Sequence, residues 1–165
     1  MNLLNVAILT VSSKGAKGER EDRSSAEIEA ILSKHGYNVI EKAIVPDDKK
    51  RIKETLLKWA DELSVPLIIT TGGTGLHPTD VTPQATEEIV EYTVPGISEI
   101  MRTEGYRLTP YAILSRGVSG IRGSSLIINL PGSPKAVRES LPVIIPALSH
   151  ALEKLRGSDR ECGSD

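Results

Sequence analysis

Short, nearly continuous runs of apolar residues recur along the chain, and segments with helical spacing lie between them. Such runs are typical of strands that are covered on both faces of a sheet. They predict four strands, at residues 5–11, 39–45, 65–71 and 126–130.

Two amphipathic segments separate the first three runs. Positions 28, 31, 32 and 35 share one helical face before Gly36, and positions 52, 56, 60 and 63 repeat that spacing. An alternation of strands and helices predicts parallel strands joined by right-handed crossovers. We therefore expect the α/β class, as a three-layer α/β/α sandwich with a mostly parallel sheet.

The second half of the chain is less regular. A helix is predicted over residues 83–92, and another begins at Ile97 after Pro95 interrupts. Residues 118–125 indicate a short strand that turns back into the run at 126–130. One short antiparallel strand is therefore expected in the sheet.

Prolines punctuate the C-terminal part of the chain. Pro131 and Pro134 mark the end of the last strand and the start of a helix, and a break near Pro142 is expected before a long C-terminal helix. We expect one domain over residues 1–156, followed by a polar and disordered tail over residues 157–165.

Composition excludes several classes of protein. The 165 residues carry a formal net charge of −2 with dispersed basic residues, which argues against a nucleic-acid partner. No apolar stretch is long enough for a membrane span and no signal-peptide pattern opens the chain, so no membrane partner is expected. The single cysteine, Cys162, allows no internal disulfide, and a cytoplasmic location is the default expectation.

The third predicted strand runs directly into a glycine-rich loop, Gly72-Gly73-Thr74-Gly75, which Asp80 and Pro83 follow. Glycine lets a ligand approach the backbone closely, and Pro83 at a helix start leaves further N–H groups free for an anion. The spacing fits neither the P-loop nor the dinucleotide fingerprint. The loop is either a phosphate site or an ordinary turn between a strand and a helix.

Each of the four predicted strands is followed by an unusual polar loop. These loops cover residues 12–15, 46–48, 72–80 and 131–135. In an open parallel sheet, ligands bind outside the carboxyl ends of the strands. Convergence of the four loops at one rim is the main argument for a site.

Two acids in these loops, Asp47 and Asp80, are candidates for holding Mg²⁺, which takes one or two carboxylates together with substrate phosphate oxygens. Helix capping is the alternative for both. Asp47 could cap the helix that begins near Lys49, although Asp48 suits that role at least as well, and Asp80 could cap the helix that Pro83 begins.

Three further polar residues are ambiguous. Ser115 could donate a hydrogen bond to a ligand, and Arg116 could hold an anion, although a structural role for Arg116 is favoured. Lys135 lies in the first turn of a predicted helix, where a nearby phosphate would explain a cation that opposes the helix dipole.

Other chemistries lack the residues that they need. The three histidines are scattered, which argues against zinc, and no Ser-His-Asp or Cys-His pattern supports covalent catalysis. Trp59 fits the packed face of a helix better than a stacking platform. The residues alone therefore indicate an α/β enzyme or binding domain for a phosphorylated ligand, favouring a nucleotide with Mg²⁺.

Several motifs, in this order, resemble the MogA/MoaB family, which includes the G domain of gephyrin. They are Asp22-Arg23-Ser24, Val45-Pro46-Asp47, Thr70-Thr71-Gly72-Gly73-Thr74-Gly75, Asp80-Val81-Thr82-Pro83, Ala112-Ile113-Leu114-Ser115-Arg116, Gly120-Ile121-Arg122-Gly123 and Asn129-Leu130-Pro131-Gly132-Ser133-Pro134. The resemblance covers nearly everything from Asn5 to Arg156.

The resemblance implies adenylyl transfer from ATP, with Mg²⁺, to the terminal phosphate of molybdopterin, with release of pyrophosphate. It implies that Asp47 and Asp80 are the essential acids near the metal. It also implies a homotrimer, and a possible hand-over of product to a molybdate-inserting protein. With the loop argument, it places substrate or nucleotide against Ser12, Thr71, Gly72, Gly73, Thr74, Gly75, Ser115, Pro131, Gly132, Ser133, Pro134 and Lys135.

Two other functions stay open on the sequence. The first is a pterin-binding or scaffolding trimer of the same fold without catalysis. The second is a CinA-like nucleotide hydrolase. Both acids are present, which favours the transferase over the scaffold, and the absence of an additional domain counts modestly against the hydrolase.

Overall fold

A computed structural model describes residues 4–158 and contains one six-stranded mixed sheet in the order β2-β1-β3-β6-β5-β4. Strands β1, β2, β3 and β6 run parallel, and β5 runs antiparallel to both of its neighbours. The strands are β1 (Leu4–Val11), β2 (Tyr37–Val45), β3 (Leu67–Thr71), β4 (Tyr92–Thr93), β5 (Ser119–Arg122) and β6 (Ser125–Leu130).

Among the described residues, six α-helices accompany the sheet: α1 (Ser13–Ala16), α2 (Arg23–Ser33), α3 (Lys49–Leu57), α4 (Thr82–Glu87), α5 (Pro95–Tyr106) and α6 (Pro134–Leu155). A π-turn, Lys58–Glu62, continues α3, and a 3₁₀ turn, Pro110–Leu114, follows α5. Within residues 4–158, no helix combines the length and apolar character that a membrane crossing requires.

Successive side chains of the central strands point to opposite faces of the sheet, and this alternation divides the core into two layers. Val6, Ile8, Leu67 and Ile69 pack with α2, α5 and α6 on one face. Ala7, Leu9 and Ile68 pack with α3, the π-turn and α4 on the other face. The predicted three-layer sandwich is confirmed, since the continuous apolar runs of β1, β3 and β6 are buried on both faces.

Strand β2 departs from that pattern because it forms an edge of the sheet. Only Tyr37 is buried in it, and Ile40 and Ile44 are exposed. The expectation that residues 39–45 are covered on both faces is wrong, because an apolar run does not report whether a neighbouring strand or helix lies on each side.

Two helix predictions need correction. The helix predicted over residues 83–92 ends at Glu87, and Tyr92–Thr93 instead pairs with β5 as an edge strand. The predicted break near Pro142 is absent, because α6 continues through Pro142 and Pro146. Both prolines lie on its exposed face, where water can satisfy the carbonyl groups they free, while the buried face packs on the sheet.

The single domain over residues 1–156 stays a prediction, and the predicted tail over residues 157–165 lies mostly outside the described residues. Only Gly157 and Ser158 of that tail are described, and Cys162 is not among the described residues. Trp59 is buried in the core, as its predicted packing role requires.

Candidate functional site

The four polar loops meet at one rim of the sheet, because β1, β2, β3 and β6 run parallel and present their carboxyl ends together. The strand order reverses between β1 and β3, since the chain moves outward from β1 to β2 and then crosses back to β3. A reversal of this kind opens a crevice between the two strand ends, where open α/β sheets bind ligands.

The loop after β3 requires glycine at its first two positions. Gly72 has φ of +96° and Gly73 has φ of +67°, in the region that side chains disfavour. A Cβ at Gly72 would overlap the carbonyl oxygen of Val11, and a Cβ at Gly73 would overlap Oγ1 of Thr82. The backbone of β3 can therefore turn tightly against the end of β1 only without side chains here.

Hydrogen bonds within this loop leave its N–H groups available. The carbonyl of Gly73 accepts from Thr82 N at 3.2 Å, and that of Thr74 accepts from Arg116 N at 2.8 Å. Among residues 4–158, the N–H groups of Gly73, Thr74 and Gly75 donate to no protein acceptor. Consecutive free N–H groups form the kind of concavity that binds anions.

Arg116 stabilises the loop through two hydrogen bonds to its carbonyl groups. Its Nε donates to Gly75 O at 2.8 Å, and its Nη2 donates to Asp80 O at 2.7 Å. These bonds match the structural role that the sequence favoured for Arg116.

Asp80 does not cap the following helix. The N-cap of α4 is Val81, which has no side-chain cap, and Oδ2 of Asp80 accepts from His77 N at 3.1 Å. The carboxylate is half-buried beside Gly75 and faces a cavity. The capping alternative for Asp80 is therefore wrong.

Asp47 and Asp48 have separate partners. Asp48 caps α3 by accepting from Arg51 N at 2.8 Å. Asp47 instead accepts from Ser13 N at 2.9 Å and Ser13 Oγ at 2.7 Å, which ties the loop after β2 to the loop after β1. The helix-capping alternative for Asp47 is also wrong, and its carboxylate lies at the sheet rim.

Asp47 lines a cavity of about 640 Å³ at the strand reversal, which we call the switch-point cavity. Its walls are the ends of β1 and β3, the segment from Arg20 to Ser24, and the turn from Gly132 to Pro134. The predicted residues Ser12, Thr71, Gly72 and Ser133 all lie here. Arg20 and Arg23 line it together with Glu21 and Asp22, and Nε of Arg23 donates to Glu21 Oε2 at 3.1 Å.

A second cavity of about 430 Å³ lies between α5 and the start of α6, and we call it the α5–α6 cavity. Thr74, Gly75, Asp80, Ser115 and Pro131 line it. Gly73 and Gly132 line both cavities, so these glycines form a narrow divide between them. One elongated ligand, or two ligands meeting end to end, could cross that divide.

Ser115 is held by Arg102, a residue that the sequence did not single out. Nη1 of Arg102, on α5, donates to Gly117 O at 3.1 Å and to Ser115 O at 3.4 Å. Asn129 accepts from Val118 N through Oδ1 at 3.1 Å. Both residues line the α5–α6 cavity, as does Glu139 of α6. Their positions on one wall depend on strand and helix pairing that no local motif reports.

Three predicted contacts have specific outcomes. Ser12 Oγ accepts from Gly15 N at 3.0 Å and so caps α1, while Thr71 Oγ1 donates to Pro131 O at 2.7 Å and joins the ends of β3 and β6. Lys135 lines neither cavity, and its side chain is 78% exposed. The fold therefore assembles the predicted residues except Lys135 around the two cavities.

The donor set suits magnesium better than a metal held entirely by protein. Within residues 4–158, no cluster of three or more His, Cys, Asp or Glu side chains is placed to hold a metal ion. Asp47 and Asp80 line different cavities on either side of the Gly73–Gly132 divide. Such dispersed carboxylates fit an ion that takes few protein ligands and completes its shell with phosphate oxygens and water.

Comparisons with known proteins agree with this geometry. Residues 7–150 match the family described as "probable molybdopterin binding domain". The molybdopterin adenylyltransferase of Helicobacter pylori is 40% identical over 160 residues, which are 96% of this chain and 91% of that protein. Gephyrin of Dictyostelium discoideum is 40% identical over 157 residues, which are 89% of this chain and 22% of that protein.

A solved structure has the same architecture. The molybdopterin biosynthesis enzyme MoaB from Thermus thermophilus superposes with a TM-score of 0.90 at 49% identity. The match covers 94% of this chain and 98% of that one.

Proposed function

This chain belongs to the molybdopterin-binding family of MogA and MoaB, and from that premise we propose that it is a molybdopterin adenylyltransferase of molybdenum cofactor biosynthesis. It would transfer AMP from ATP to the terminal phosphate of molybdopterin and release pyrophosphate. The observation that carries the proposal is the pair of cavities that meet at Gly73 and Gly132, with Asp47 lining one and Asp80 lining the other.

The two cavities differ in the ligand that they suit. The switch-point cavity has polar walls and lies at the strand reversal, a position at which open α/β sheets bind nucleotides. The α5–α6 cavity is lined by Met101, Leu114 and small residues, which favour a flat heterocycle. The reacting phosphates would then meet over the divide, beside the free N–H groups of Gly73, Thr74 and Gly75.

The chemistry needs charge neutralisation more than a nucleophile. A molybdopterin phosphate oxygen attacks the α-phosphorus of ATP, a new P–O bond forms, and the bond to pyrophosphate breaks. The loop N–H groups would hold the phosphates in line and stabilise charge on them. Asp47 and Asp80 would hold Mg²⁺, which would neutralise part of the phosphate charge. No protein base is needed, because the attacking phosphate is already ionised.

The test compares Asp47 and Asp80 with Asp48, the neighbour of Asp47 in the chain. Wild-type protein incubated with molybdopterin, ATP and Mg²⁺ is expected to form adenylylated pterin and pyrophosphate, measured by chromatography. Asp47→Asn and Asp80→Asn keep their hydrogen-bond acceptors but lose the charge, so we expect turnover to fall about a hundredfold or more. Asp48→Asn is the matched control, because asparagine also caps helices and Asp48 lines neither cavity.

Other results would identify the alternatives. Pterin binding that is unaffected by Mg²⁺, with no ATP consumption, would contradict the transferase and indicate a scaffold. Cleavage of a nucleotide without pterin would indicate a hydrolase. Equal turnover in all three variants would refute the role of the two acids while leaving the reaction itself in place.

Association and location are also part of the proposal. We propose a cytoplasmic homotrimer, with hand-over of product to a molybdate-inserting protein. Support for association comes from large apolar side chains exposed between the end of α5 and the 3₁₀ turn, namely Tyr106, Leu108, Tyr111, Ile113 and Leu114. Light scattering would show three times the 17.8 kDa chain mass, and a monomer would contradict the trimer.

A further inference from the structure

Glu139 lines the α5–α6 cavity, and its carboxylate accepts no hydrogen bond from the residues that the structure describes. It lies on the second turn of α6, and its side chain is 23% exposed. The Lys135 ammonium is 3.9 Å away, beyond hydrogen-bond distance. Among residues 4–158, no N–H or O–H group donates to the Glu139 carboxylate. A polar group left this way in a concave site carries unused capacity to bind a ligand.

The other charged groups of this cavity already have partners. Arg102 donates to the carbonyls of Ser115 and Gly117, and Asp80 accepts from His77 N. Neither group compensates Glu139. To a cavity that Met101 and Leu114 also line, the Glu139 carboxylate therefore contributes two oxygens that accept no hydrogen bond from the described residues.

The position of Glu139 suits the far end of a phosphorylated ligand. Gly132 lies at the divide, and α6 begins two residues later at Pro134. Glu139 lies five positions after Pro134 along α6, which is a rise of about 8 Å. This distance is about the length of a fused ring system. A ligand whose phosphate lies at the divide would therefore bring the far edge of such a ring system to the Glu139 carboxylate.

We propose that Glu139 recognises the 2-amino-4-oxo edge of the pterin ring, with one oxygen accepting from N3–H and the other from the 2-amino group. That edge carries the same two parallel N–H donors as an arginine guanidinium, which pairs with carboxylates through two hydrogen bonds. The assignment rests on the proposed function for the identity of the ring. It makes Glu139 the residue that selects a pterin over heterocycles without the amino group.

Two small probes test the selection directly. Pterin carries the 2-amino group, whereas lumazine carries an oxo group there, which would face the carboxylate with an acceptor. We expect wild-type protein to bind pterin at least about tenfold more tightly than lumazine in fluorescence titrations. Glu139→Gln is expected to lose most of that preference and to raise KM for molybdopterin, with ATP affinity unchanged.

Glu153→Gln is the matched control, because Glu153 is an exposed glutamate on the same helix and lines neither cavity. It is expected to keep the wild-type preference and KM. An unchanged probe preference or an unchanged KM for molybdopterin in Glu139→Gln would overturn the assignment. Retained pterin preference in wild-type protein that never forms adenylylated product would instead refute the transferase and leave the role of Glu139 standing.

Discussion

Single residues in this protein take their roles from partners that are far away in the chain. Ser13 holds Asp47 across 34 positions, and Arg116 holds the carbonyl of Gly75 across 41 positions. The carboxylate of Asp48, next to Asp47, instead accepts a hydrogen bond from the N–H of Arg51. At this scale the site is a set of carboxylates and free N–H groups whose orientation is fixed by remote hydrogen bonds.

Gly72→Ala tests the close approach of β3 and β1. The added methyl group would overlap the Val11 carbonyl in a left-handed conformation, so we expect a loss of about 2–4 kcal/mol in unfolding free energy. Gly36→Ala is the control, because Gly36 has φ of +81° but nothing near its missing Cβ. It is expected to cost only about 1–2 kcal/mol in urea unfolding. Equal losses of unfolding free energy in the two variants would show that the backbone shifts to remove the overlap between the new methyl group and the Val11 carbonyl, and would contradict the prediction.

At the scale of elements, the layer on one face of the sheet is joined by surface charge as well as by packing. Glu88, which follows α4, accepts from Lys49 Nζ at 2.6 Å and from Lys53 Nζ at 2.7 Å, both on α3. These hydrogen bonds lower the pKa of Glu88 from 4.5 to about 2. Arg122 of β5 likewise lowers the pKa of Asp61 in the π-turn through a hydrogen bond.

The Glu88 cluster predicts a specific acid response. A carboxylate whose pKa is depressed on folding contributes stability above its unfolded pKa, and that contribution is lost as pH falls from about 4.5 towards 2. Glu88→Gln is therefore expected to lower stability at neutral pH and to flatten its decline across this window. The free energies of unfolding of the wild type and of Glu88→Gln, measured as a function of pH, should converge below about pH 2.

Salt and a second glutamate provide the controls. Because Glu88 is well exposed, the difference between wild type and Glu88→Gln should shrink at high ionic strength. Glu54→Gln removes a looser pair, 3.9 Å from Lys50 within α3, and is expected to change the profile little. A wild-type profile as flat as that of Glu88→Gln would refute the linkage.

The whole molecule is built so that two cavities share one wall. The strand reversal creates the switch-point cavity, and the long α6 begins beside it and continues past the α5–α6 cavity. Because Gly73 and Gly132 belong to both cavities, a ligand in one reaches the boundary of the other. Substrates held on either side would therefore meet at a point set by the sheet itself.

Thermal protection reports on this arrangement without requiring turnover. A ligand at a hundred times its Kd stabilises the folded state by about 2.7 kcal/mol, which is about 5–10 °C in Tm for a chain of this size. We expect ATP to protect more with Mg²⁺ than without it, and Asp47→Asn to lose that increment. Protection by ATP that is the same with and without Mg²⁺ would count against the metal role of Asp47.

The sequence predicted the elements of this fold well where apolar runs are long and helical spacing is regular. It was less reliable at the edges, since the burial of residues 39–45 and the end of α4 depend on which strand lies alongside. It also predicted a break in α6 that packing of the buried face prevents. Glu139 and Arg102 lie in segments with no motif, so their contribution to a cavity could not be read locally.

By itself, the sequence determined the α/β alternation, the glycine positions, the polar loops after four strands and the family motifs, because each depends on residues that are close in the chain. Only the tertiary structure decided that the loops form two cavities with a shared glycine divide, that neither Asp47 nor Asp80 is a helix cap, and that Lys135 lies outside. The reason is physical: strand order and helix docking set which distant groups meet, and those are properties of the packed chain.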